Sequence, residues 1–230
     1  MRWEVVNQFQ RNISKNSKTF SNVAIIGGST KDAEIKILKE LNPSAKFTVF
    51  GIENENNDSS FEFLDMNTKY DINTKRNFDL ILCSQVLEHV WNHETFFTNI
   101  LLLSSLGTKI WISCPASNMV HGSPDYFSAG FTSDYLSLNL KKIGINILNQ
   151  GELGSKRFYI ATHLNREWLS EKEHSHPIKS YEWKKGSLLG KINRYRKLLP
   201  GRIFQKFQSS KISGNLDYAT ESWIYAVNET

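Results

Sequence analysis

The sequence predicts an α/β protein: a mostly parallel sheet with helices on both faces, an antiparallel last strand, and a helical insertion ahead of that strand. Three observations carry the prediction. Short apolar runs recur through the first 150 residues, and segments of helical spacing stand between them. The runs are continuously apolar and not alternating, as in strands covered on both faces. A last apolar run, Ser-Trp-Ile-Tyr-Ala-Val at 222–227, follows a long stretch of different character.

Residues 1–20 read as an N-terminal helix or arm, with Trp3, Val6 and Phe9 at near-helical spacing. The first strand is 22–26, and it closes in the Gly27-Gly28 turn. A helix over 31–41 carries Ala33, Ile35, Ile37, Leu38 and Leu41 as its apolar positions, with Pro43 just past its end. Further strands are expected at 46–52, 61–64, 78–83, 109–114 and 144–148, and helices at 92–105 and 132–140. After Gly151 the rhythm breaks. Either 157–162 closes a hairpin with the sixth strand, or 222–227 is the last strand and the intervening residues are inserted. The second is favoured, because a terminal strand needs a pairing partner and the sheet edge offers one. The organisation is thus an arm over 1–20, a core over 21–150, a basic helical insertion or cap over 151–218, and the last core strand within 219–230.

The chain has 230 residues, enough for one large core. No apolar run reaches the roughly 20 residues of a membrane span, and the first twenty residues lack a signal-peptide apolar segment. A cytoplasmic location is expected. Cys83 and Cys114 fall in predicted strands and read as reduced core residues. No Cys/His cluster has zinc spacing, His174 and His176 included, so no metal is expected. The net charge of +5 is uneven: nine Lys/Arg and no acid lie over 183–216, while elsewhere 19 basic residues face 23 acidic ones.

Four segments carry chemistry at predicted strand ends. Gly27, Gly28 and Ser29 lie between the first strand and the amides of a helix N-terminus, where backbone can approach a ligand; a plain turn would look the same. Glu53 closes the second strand, where a carboxylate can accept both ribose hydroxyls; the alternative is an exposed loop acid. Asp65 ends the third strand, can accept from an adenine amino group, and has apolar Met66 beside it; the alternative is a turn or cap Asp. The most distinctive is Phe-Asp-Leu-Ile-Leu-Cys-Ser-Gln-Val-Leu-Glu-His-Val at 78–90, a buried strand running into polar residues at its carboxyl end, where open α/β sheets bind ligands.

The run at 78–90 resembles the fourth-strand motif of class I S-adenosylmethionine-dependent methyltransferases, and the order of motifs agrees over 20–150. The resemblance implies a Rossmann-like fold and S-adenosyl-L-methionine as cofactor. It implies that Gly27, Gly28 and Ser29 line the methionine end, Glu53 holds the ribose, and Asp65 and Met66 meet the adenine. Ser84 and Gln85 would lie beside the cofactor, with Leu87 and His89 just beyond. The first motif departs from the family. Ile25 stands where an acid usually anchors the amino-acid end of the cofactor, and Ser29 and Lys31 replace glycines.

Past the fifth strand, the stretch from His121-Gly122 through Asp125-Tyr126-Phe127 to Phe131-Thr132 resembles family members that act on sugars and related metabolites. This implies O-methylation of a small polar acceptor, such as a sugar or surface-polysaccharide precursor. His121 is the first candidate base and Asp125 the second; His121 capping a loop, with Tyr126 and Phe127 packed beneath, is the alternative. Other readings are a different small or lipid-like acceptor, or a cofactor-binding domain without turnover. The basic stretch 183–216 reads as two amphipathic helices. It would attract a phosphorylated or nucleotide-linked acceptor, rest on an anionic membrane surface, or simply cover the core. Nucleic acid is not an expected partner.

Overall fold

In the computed structural model the described residues are 3–15, 20–54, 56–71, 77–117, 124–154 and 219–229. His121, His174 and His176, the alternative strand at 157–162 and the basic stretch 183–216 lie outside them. The apolar runs form seven strands: β1 (Asn22–Ile26), β2 (Lys46–Gly51), β3 (Phe61–Phe63), β4 (Leu80–Ser84), β5 (Lys109–Pro115), β6 (Ile145–Leu153) and β7 (Glu221–Asn228). Among the described residues four α-helices accompany them: α1 (Trp3–Lys15), α2 (Ala33–Leu41), α3 (His93–Leu103) and α4 (Ser133–Lys142).

The sheet order is β3-β2-β1-β4-β5-β7-β6. All neighbours are parallel except those of β7, which runs antiparallel to both β5 and β6. The last strand is therefore not at the edge, where the sequence placed it. It is inserted between β5 and β6, every residue of it is buried, and edge exposure passes to β6. Strand β6 itself continues three residues past the expected core boundary at 150.

Alternation within the strands sorts their side chains to two faces. On one, Val23, Ile25, Leu80, Leu82, Trp111 and Trp223 pack against Val5, Phe9 and Ile13 of α1 and Ile35 and Leu38 of α2. Phe9 meets Trp111 edge-on at 5.3 Å, and Trp111 stacks on Trp223 at 5.4 Å. On the other face Ala24, Ile26, Ile81, Cys83, Ile112 and Ile224 pack against Phe96, Phe97 and Ile100 of α3 and Leu136 and Leu140 of α4. Both cysteines are buried free thiols. Among the described residues no helix is long and apolar enough to cross a membrane.

Two features of topology position the site. Strand order reverses between β1 and β4, and the carboxyl ends of the strands at such a point are the usual ligand position in open sheets. The chain also leaves β6 and re-enters β7 at this same edge, where the Thr220 amide donates to the Leu153 carbonyl at 2.8 Å.

Candidate functional site at the carboxyl edge

The site begins where β1 ends. Gly27 has a φ of 64°, and a Cβ there would stand 2.5 Å from Val86 Cγ2. Only glycine lets the turn leave β1 with the loop after β4 so close. The loop amides are less open than the sequence implied. The Ser29 N–H donates to Asp32 Oδ2 at 2.8 Å, the Lys31 N–H to Ser29 Oγ at 3.2 Å, and the Thr30 N–H to Asp58 Oδ1 at 3.4 Å. The Thr30 hydroxyl also bonds Asp58, tying the loop after β2 to the glycine turn.

Glu53 lies two residues beyond β2 and is exposed. Beside it Ile52 is 61% exposed, and Phe63, across the register from Gly51, is 69% exposed. An acid flanked by two uncovered apolar side chains suits a polar ring carrying hydroxyls. Asp65 is half-buried, and its Oδ1 accepts from the Asn67 N–H at 2.9 Å and Asn67 Nδ2 at 3.1 Å. Asn67 Oδ1 in turn accepts from the amides of Trp91 and Asn92, so Asp65 fixes the β3 loop against the loop after β4. Met66 and Leu87 do not line the crevice. They are buried in the core with Phe50, Leu64 and Phe78, because the β3 loop and the 3-10 turn Leu87–His89 fold their apolar side chains inward. Phe63 and Ile52 are uncovered apolar residues at that end.

At the end of β4, Ser84 donates to Glu34 Oε1 at 3.2 Å. Gln85, with a φ of 59°, donates its amide N–H to the Ser113 carbonyl at 2.8 Å and Nε2 to Glu221 Oε2 at 3.0 Å. It is turned toward β7. His89 bonds the Asp125 carbonyl through Nδ1 and meets the Tyr126 ring edge-on at 5.9 Å. The Asp125 side chain is exposed. The Phe127 and Ser128 amides donate to the Glu88 carbonyl, and a Cβ on Gly130 would fall 2.4 Å from the Ala116 backbone, so this loop lies hard against the ends of β4 and β5.

Three acids stand out that the motifs did not single out. Glu34 and Glu88 are fully buried and Glu221 nearly so. Glu34 Oε2 and both carboxylate oxygens of Glu88 have no hydrogen-bond partner among the described residues. Burial raises both acids; Glu88, raised further by the charge of Glu221, is pushed up to about 8. Burial likewise pushes the Cys83 and Cys114 thiols up. The motif residue Asp79 belongs to the opposite edge. Its Oδ2 accepts from the Ser21 and Asn22 amides at 2.8 and 2.9 Å and pins the start of β1 to that of β4.

No protein-family model and no curated protein matches the chain. Solved structures do match it over nearly its whole length. One is a candidate sarcosine dimethylglycine methyltransferase from Galdieria sulphuraria, with a TM-score of 0.59 and 10% identity over 98% of this chain and 85% of that one. The fold is that of class I S-adenosylmethionine-dependent methyltransferases. Coclaurine N-methyltransferase bound to N-methylheliamine and S-adenosylhomocysteine matches at a TM-score of 0.53, with 13% identity over 96% of this chain and 72% of that one. The [4+2]-cyclase SpnF matches at 0.55, with 11% identity over 96% and 81%.

Proposed function

We propose that this chain binds S-adenosylmethionine at the carboxyl ends of β1, β2 and β4 and methylates a hydroxyl of a small polar acceptor of the sugar or polysaccharide-precursor kind. The observation that carries the reading is the grouping of exposed Glu53 with uncovered Ile52 and Phe63, beside a glycine turn that only glycine can make. The coclaurine enzyme, which shares the fold, is seen with S-adenosylhomocysteine bound. When bound, S-adenosylmethionine supplies a methyl group on a sulfonium.

The chain's residues would divide the remaining work. Glu53 accepts from the ribose hydroxyls, and Phe63 and Ile52 cover the adenine. Asp65, held by Asn67, faces the adenine edge. The loop over 124–131 lies beside the acceptor; the group that takes the hydroxyl proton is His121, just ahead of that loop in sequence, or in second place Asp125 within it. The chain between β6 and β7, whose sequence includes the basic stretch 183–216, leaves and re-enters the sheet at the site's edge, which supports a role for that stretch in drawing in a phosphorylated or nucleotide-linked acceptor.

Turnover of a panel of hydroxylated sugars and nucleotide sugars, with and without His121→Ala, tests this. The variant should lose turnover and keep cofactor affinity; retained turnover removes His121 from the mechanism and passes the role to Asp125. A second reading, cofactor binding without methyl transfer, is favoured by Ile25 and by loop amides already partnered within the chain. Binding of cofactor with no methylated product across the panel would support it.

A further inference from the structure

Position 25, where the resembling family carries an acid, is an isoleucine buried among Ile35 and Leu38 of α2. Its Cγ2 lies 3.0 Å from where a Cβ on Gly28 would stand, so the side chain sits directly under the glycine turn. An acid returns to this neighbourhood from elsewhere in the chain. Glu34, in the first turn of α2, extends to the end of β4 and accepts the Ser84 hydroxyl. In the strand register Ile26 pairs with Cys83, which places Ser84 level with Gly27. Glu34 therefore reaches the carboxyl ends of β1 and β4, where the strand order reverses, from the same face of the sheet as Ile25.

The state of this carboxylate is incomplete. It is fully buried, Oε1 has one donor, and Oε2 has none among the described residues. A buried carboxylate left half-satisfied is costly, and the cost disappears when a cation with N–H donors meets it. The charge that acts on it most strongly, that of Asp32, is of the same sign and gives no relief.

We propose that Glu34 is this chain's anchor for the ammonium group at the amino-acid end of S-adenosylmethionine, moved from strand β1 to helix α2. The inference rests on the cofactor reading above. Ser84 is its positioning residue: the hydroxyl holds Oε1 and leaves Oε2 for the ligand.

Two ligands separate recognition of the ammonium from support of the fold. S-adenosylhomocysteine carries the ammonium; 5′-methylthioadenosine keeps the nucleoside thioether and lacks the amino-acid end. Calorimetric titration of each should show Glu34→Gln weakening S-adenosylhomocysteine by about tenfold or more, the range of a lost charge-assisted hydrogen bond. Binding of 5′-methylthioadenosine should stay within about twofold, which also certifies that the variant is folded. Ser84→Ala should show the same selectivity with a smaller loss. Equal losses for both ligands, or no loss for either, overturn the proposal. If the unaltered protein binds neither ligand, the cofactor reading itself falls. If it binds both and Glu34→Gln changes nothing, only this inference falls.

Discussion

Replacing Glu88 with glutamine should raise stability at neutral pH and flatten its dependence on pH. The Glu88 carboxyl is fully buried without a hydrogen-bond partner among the described residues, and burial, with the charge of Glu221, pushes it up to about 8 from an ordinary 4.5. The folded protein thus holds this proton more tightly than the unfolded chain. Its contribution is fully present below about pH 4.5 and is lost as pH rises toward 8. At about 1.4 kcal/mol per pH unit, two units inside that window correspond to roughly 2–3 kcal/mol. Glutamine has the same shape and no proton to lose. Urea denaturation of both proteins at about pH 5.5, 6.5 and 7.5 reads the difference directly. The advantage of Glu88→Gln should widen with each step. Parallel profiles, or a variant less stable by a constant amount, would show that the carboxylate is ionised and paired, and the argument from burial would fail.

Gly27→Ala should destabilise the fold by about 1–2 kcal/mol through the left-handed φ alone, with a further loss from the approach of Val86, and thermal unfolding should report both. Adding Val86→Ala should recover only the second part. Asp79→Ala should cost about 1–2 kcal/mol through the two amides it releases, yet leave cofactor affinity unchanged, because it acts at the far edge of the sheet. Weakened cofactor binding in a folded Asp79→Ala protein would contradict that placement.

Most of the fold was legible because its strands are apolar on both faces, a pattern that survives in sequence. Val-Ala-Ile-Ile at the first strand and Leu-Ile-Leu-Cys at the fourth need no partner to be recognised. The position of β7 was not legible. Its residues read as a strand, but its pairing with β5 and β6 joins segments far apart in the chain, and nothing local specifies it. The positions of Glu53 and Asp65 past the ends of β2 and β3 were legible because the apolar runs of those strands mark where each ends. Glu34 was missed because an acid in the first turn of an amphipathic helix is ordinarily exposed and favourable to the helix dipole; its burial depends on Ser84, fifty residues away. Met66 and Leu87 were assigned to the crevice by motif position alone. Whether a side chain turns inward after a strand end depends on the loop's hydrogen bonds, here those of Asp65 and Asn67, which the motif does not encode.

Titration calorimetry with S-adenosylmethionine, on the unaltered protein and on Glu53→Ala, tests the central claim most directly. One saturable site is predicted in the unaltered protein. Affinity should fall by about tenfold or more in the variant, as expected for hydrogen bonds to a charged acceptor, while thermal unfolding is unchanged because Glu53 is exposed. No binding at millimolar cofactor, or equal binding by both proteins, would contradict the account.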